Sequence, residues 1–199
     1  MASLSLTVIL IIITCGISLL ALNNAELMQK LIMNPYITER RKEYYRFVTS
    51  GFLHADLMHL AFNMLSFYFF GEAVESFLGG AHFIILYLAA IIISDIPTYL
   101  KHKNNPGYNS LGASGGVAAI IFAFVMLYPT SDIYIYAIPV PAIVYGPLFL
   151  LYSFYMDRRN TDNTNHSAHL YGAIVGIAYT TLFEPSVISN FIETITGSF

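Results

Sequence analysis

Ser114 lies in the run Gly112-Ala113-Ser114-Gly115, and His169 follows 55 positions later, just after Ala168. A serine hydroxyl is a weak nucleophile until a neighbouring base takes its proton, and an imidazole is the usual base. The small residues around Ser114 could by themselves serve close helix packing, as could Gly172 and Gly176, four apart beyond His169. A packing helix has no use for an imidazole beside its glycines, which turns the reading toward nucleophilic hydrolysis. His59 and Asn63 are spaced i, i+4 and share one helical face. Two donors there could hold the oxyanion of a tetrahedral intermediate, or equally join two helices by a buried hydrogen bond. No carboxylate has the spacing of a third triad member beside His169: Asp95 lies toward the end of an earlier apolar segment, and Asp157 and Asp162 in the polar loop before His169. A Ser/His dyad is therefore more economical than a triad.

These residues need elements that bring them together, and the composition says in which solvent. Of the 199 residues, 56% are hydrophobic and 11% charged, with a mean hydropathy of +0.62, far too apolar for a soluble domain of this length. A net charge of −3 without a basic cluster excludes nucleic acid as a partner. The one cysteine, Cys15, excludes an internal disulfide. No His-Glu-x-x-His run occurs, and His54 and His59 are wrongly spaced for one helical face, so neither a metal nor a cofactor is expected. No inverted repeat of the transporter kind is visible.

Charged residues divide the chain into six apolar segments: 4–22, 56–76, 81–100, 112–128, 134–156 and 167–184. The expected fold is an all-α membrane protein, a single six-helix bundle over 1–199, with a polar, interfacial first loop at 23–55 whose Leu27, Met28, Leu31 and Ile32 have helical spacing. If the first span ends on one side of the bilayer, spans two, four and six all begin there. His54, His59 and Asn63, then Ser114, then His169 fall at those three beginnings and so reach one level and one wet pocket. Pro139, Pro141, Gly146 and Pro147 are expected to weaken the fifth span and ease its bending, and the polar run Asp157 to Ser167 could cap the site.

Gly112-Ala113-Ser114-Gly115, the run from His169 to Gly176, and Gly51-Phe52-Leu53-His54 through His59 to Asn63 together resemble the signature segments of the rhomboid intramembrane serine proteases. Gly71-Glu72-Ala73-Val74-Glu75 and Tyr45-Arg46 resemble further segments of that family, and the likeness runs over about residues 36 to 180 in the family's order. It implies a rhomboid-like six-span bundle in which Ser114 is the nucleophile and His169 the general base. His59 and Asn63, with the Ser114 backbone N–H, would bind the oxyanion. Arg46, Glu75, Gly112 and Gly172 would be structural. The implied substrates are transmembrane proteins cleaved where their helices unwind, in the lipid bilayer of a bacterial inner membrane. A catalytically silent relative that binds transmembrane helices is the alternative. Two features depart from the family. The aromatic that often follows the serine by four residues, stacked on the imidazole, is here Ala118. All nine Lys and Arg lie in loops on the proposed active-site side, which the positive-inside rule places in the cytoplasm, whereas bacterial rhomboids usually open to the other face.

Overall fold

The computed structural model describes residues 4–135, 137–159 and 165–197, apart from the side chains of 157–159 and 195. Each of the six apolar segments contains one long helix: α1 (Leu6–Leu22), then, after three short helices, α5 (Leu57–Leu78), α6 (Gly80–His102), α7 (Ser114–Leu127), α8 (Ala142–Arg159) and α9 (His166–Phe183). The short ones, α2 (Ala25–Leu31), α3 (Pro35–Arg41) and α4 (Arg46–Thr49), fill the polar first loop. Local chemistry sets several of these starts. The side chains of Asn24, Asn34, Asp56 and Asn165 each accept the backbone N–H three residues on, satisfying a donor that a helix start leaves unpaired.

Two features, a hairpin and a last helix, were not expected. The fifth segment does not begin its helix at Tyr134, because β1 (Asp132–Ile135) and β2 (Ile138–Pro141) form an antiparallel hairpin before it. Pro139 and Pro141 therefore lie in β2, outside the helix they were expected to weaken, while Gly146 and Pro147 remain inside α8. A charge-free run looks the same whether its backbone is helix or strand, but proline cannot donate in a helix interior. The other addition is α10 (Ser186–Thr196), which turns 113° from α9 after Pro185.

Helix α7 forms the centre, packed against α5, α6, α8 and α9, and is buried along nearly its whole length. A helix apolar all round has to be surrounded in this way. Its closest neighbour is α9. A Cβ on Gly172 would overlap the carbonyl oxygen of Gly115, and one on Gly176 that of Ala119, so the two backbones touch where side chains would hold them apart. Around the bundle large apolar side chains face outward, including Phe62, Leu65 and Phe69 on α5, Ile85 and Ile93 on α6, and Leu148 and Leu151 on α8. By length and apolarity α6 is sufficient to cross a membrane, whereas Leu6–Leu22, Ser114–Leu127 and Ala142–Met156 are apolar but shorter.

Polar residues face inward instead. Thr7, Thr14 and Ser18 on α1 are all buried. The Glu75 carboxylate of α5 accepts the backbone N–H groups of Leu6 and Thr7, both at 2.8 Å, and the Thr7 hydroxyl at 2.7 Å. A negative charge thus closes the positive end of α1 and fastens it to α5. Glu75→Ala strands these donors and is expected to cost about 2 kcal/mol. Thermal unfolding in detergent should show a clear drop in midpoint, with Glu75→Gln falling between it and the parent.

Candidate active site

Ser114 is the first residue of α7, preceded by Ala113 in a helical conformation that offers no side-chain cap. The positive end of α7 therefore stands open at the serine, and the first turn has backbone donors to offer a negative charge. Gly112 makes this turn possible. Its φ of +126° is one that side chains disfavour, and its N–H donates to the Ser50 carbonyl at 3.0 Å. A Cβ there would lie 3.0 Å from Cε1 and 3.2 Å from Nε2 of His59, so the imidazole packs on the bare glycine. The segment is held from outside by Met33 and Ser110, which exchange backbone hydrogen bonds of 3.1 and 2.9 Å.

His59 is the third residue of α5, and its backbone N–H donates to the capping Asp56 carboxylate at 2.8 Å. Asn63, one turn on and buried, donates one amide N–H to the His59 carbonyl at 2.9 Å, leaving its second N–H for another partner. The neighbouring His54 is wholly buried, with its ring 4.9 Å from that of His59. Ser18 donates its hydroxyl to the Phe52 carbonyl at 3.0 Å, so at 2.9 Å the Nδ1–H of His54 is the donor toward Ser18. Burial first, and then the nearby His59, push His54 down to about 3, which keeps it neutral at physiological pH. His54 is thus an anchor between α1 and the start of α5.

His169 is the fourth residue of α9. With Ser114, His59 and Asn63 it lines one cavity of about 230 Å³, whose other walls include Ala118, Tyr145 and Phe149. A second cavity, of about 440 Å³, lies on the other flank of Ser114 and His59 and is lined by loop residues such as Asp56, Asn109 and Asn165. Ala118 is buried and leaves the flank of His169 to the Phe149 ring of α8, 6.0 Å away and tilted by 33°. Phe149 also packs on Phe122, one turn beyond Ala118, at 5.7 Å. On α9 itself the His166 ring stands edge-on to His169 at 5.6 Å, whereas Phe149 comes from a different helix, which no spacing in the sequence could reveal.

The remaining candidates lie apart from this cavity. Arg46, buried in the first loop, donates to the Gln29 and Ile32 carbonyls at 2.8 and 2.7 Å, at the end of α2, and pairs with Glu43 at 2.6 Å. The guanidinium holds the Glu43 carboxyl below the usual carboxylate range. Glu75 sits at the opposite end of α5, on α1. Gly172 lies against Gly115, directly after the serine. Asp95, on α6, accepts from the Ser50 hydroxyl at 3.4 Å. Of the expected polar cap, 160–164 and with it Asp162 lie outside the described residues, as does the Asp157 side chain.

Substituting Gly112 combines backbone strain of about 1–3 kcal/mol with a collision against His59. Gly112→Ala is expected to lower the thermal unfolding midpoint measurably while helix content stays unchanged, as circular dichroism during a melt would show.

Residues 41–186 match the Rhomboid domain family. Among curated relatives, RHOMBOID-like protein 12, mitochondrial, of Arabidopsis thaliana is 28% identical over 170 residues, 74% of this chain and 50% of that protein. The human presenilin-associated rhomboid-like protein, mitochondrial, is 30% identical over 146 residues, 71% of this chain and 38% of that protein. Rhomboid protease GluP of Bacillus subtilis is 31% identical over 137 residues, 68% of this chain and 26% of that protein. The chain spans half or less of the length of these relatives. With a family match over most of its length and a helical bundle to accompany it, the chain belongs to the rhomboid family of integral membrane proteins.

Proposed function

We propose that this chain is an intramembrane serine endopeptidase, a single rhomboid domain of six spans that hydrolyses peptide bonds in or near the transmembrane helices of membrane-protein substrates. The observation that carries this reading is the shared cavity of Ser114, His169, His59 and Asn63, with Ser114 at an uncapped helix start. Protease-named relatives in the family support it.

In this reading Ser114 Oγ adds to the carbonyl carbon of the scissile bond as the His169 imidazole takes its proton. The carbonyl oxygen becomes an anion, received by the His59 side chain, the free Asn63 N–H and the Ser114 backbone N–H. Each such donor contributes about 3–4 kcal/mol where its loss has been measured in a hydrolase. Collapse of the intermediate breaks the C–N bond, and His169 returns its proton to the leaving amine. Water, deprotonated by His169, then adds to the acyl-enzyme and restores Ser114. Cofactor and metal have no part in these steps. A peptide bond inside an intact lipid-embedded helix is shielded and fully hydrogen-bonded, so the substrate has to unwind locally first. In this reading the segment enters between α5 and α8, which both line the cavity, and Pro147 removes one hydrogen bond from α8 where it would have to yield.

Cleavage of a helix-destabilised membrane substrate by the liposome-reconstituted protein tests this directly. Ser114→Ala and His169→Ala are expected to abolish cleavage without unfolding the bundle, and His59→Ala or Asn63→Ala to slow it by about 10²-fold or more. Undiminished cleavage by Ser114→Ala would exclude the mechanism, and serine-independent silence of the parent on several substrates would favour a helix-binding, non-cleaving role.

Phe149 generates a separate expectation. Phe149→Ala should lower kcat roughly tenfold, about 1.4 kcal/mol of barrier, with KM little changed. Adding Ala118→Phe to that variant should recover much of the loss by supplying the ring from α7. An unchanged kcat in Phe149→Ala would show that the ring does not position His169.

A further inference from the structure

Ser66 and Tyr145 line the same cavity as Ser114 and His169, yet neither takes part in the acyl-transfer steps. Ser66 continues the polar stripe of α5 at i+7 from His59 and i+3 from Asn63, about 10 Å deeper along the helix axis. Tyr145 comes from α8, the other wall, and is half-buried, its ring 5.9 Å from that of Phe149. Gly146 beside it lets α8 pack closely on Val125 and Phe122 of α7. Neither the Ser66 nor the Tyr145 hydroxyl makes a hydrogen bond among the described residues, although helix serines commonly bond back to a carbonyl one turn earlier.

Two unpaired hydroxyls on the walls of one cavity inside an apolar bundle are costly unless something fills their bonding capacity. An unwound stretch of substrate has the complementary need, because its freed N–H and C=O groups have no water to turn to. We propose that Ser66 and Tyr145 form a backbone-docking subsite that holds the unwound substrate segment on the membrane-interior side of the cut. The inference rests on the protease reading and adds the part of the substrate that is recognised. At about 3.3 Å per extended residue, the roughly 10 Å between the levels of His59 and Ser66 correspond to about three residues. The subsite therefore takes main-chain groups about three residues from the scissile bond, and its preference is for polypeptide in any sequence that unwinds.

Ser66→Ala and Tyr145→Phe remove the hydroxyls with almost no change of volume. The parent and both variants are reconstituted in liposomes and assayed on two substrates. One is a full transmembrane substrate, the other a short peptide that ends within two residues of the cut on the membrane-interior side. Each variant is expected to raise KM for the transmembrane substrate about fivefold and the double variant by more, with kcat within about twofold of the parent. Turnover of the short peptide should not change, which also shows that the variants are folded. An equal effect on both substrates, or none on either while cleavage still depends on Ser114, would overturn the subsite alone. Cleavage that survives Ser114→Ala would remove the protease reading and this subsite with it.

Discussion

The backbone contact between α7 and α9 is the constraint on which the rest of the molecule depends. Gly172 meets Gly115 and Gly176 meets Ala119 with no side chain between them. In lipid, helices gain little from hydrophobic burial against one another, so close approach through small residues is a principal way to hold a bundle together. The same contact places the start of α9 against the start of α7, and that is where His169 and Ser114 stand. Stability and the proposed chemistry thus draw on one stripe of small residues.

Around that pair the bundle is apolar on its outside as well as in its core, with a few polar groups set inside. Apolar side chains cover the outside, and several polar ones point in with a defined partner: Glu75 on the start of α1, Ser18 on His54, Arg46 on the end of α2. These bonds fix directions, which a smooth apolar surface cannot do. The Asp56 cap sets where α5 begins and so the height of His59, while the Asn165 cap does the same for α9 and His169. A shift of either start by one residue would rotate its imidazole by about 100° around the helix.

Much of this was legible in the chain. Apolar segments with few charges marked the six long helices because in a membrane the sequence must carry its solvent preference on its surface. Counting crossings then brought positions 59, 114 and 169 to one side with no knowledge of packing. The hairpin before α8 was hidden because hydropathy does not distinguish strand from helix, although Pro139 and Pro141 carried the signal. Helix α10 was hidden because its sharp turn away from α9 is set by packing beyond Pro185, and no local pattern fixes that angle.

The sequence by itself determined which residues could do chemistry and how many segments would carry them, since residue type and hydropathy are properties of the chain. Why position 112 is glycine came only from the folded chain, where a positive φ and the closely packed His59 ring disfavour a side chain. Only the tertiary structure decided that Phe149 would flank His169 where Ala118 does not reach, and that Ser66 and Tyr145 would open into the same cavity. Those neighbours come from different helices, and their meeting depends on how the helices rotate and pack, which no spacing along one chain encodes.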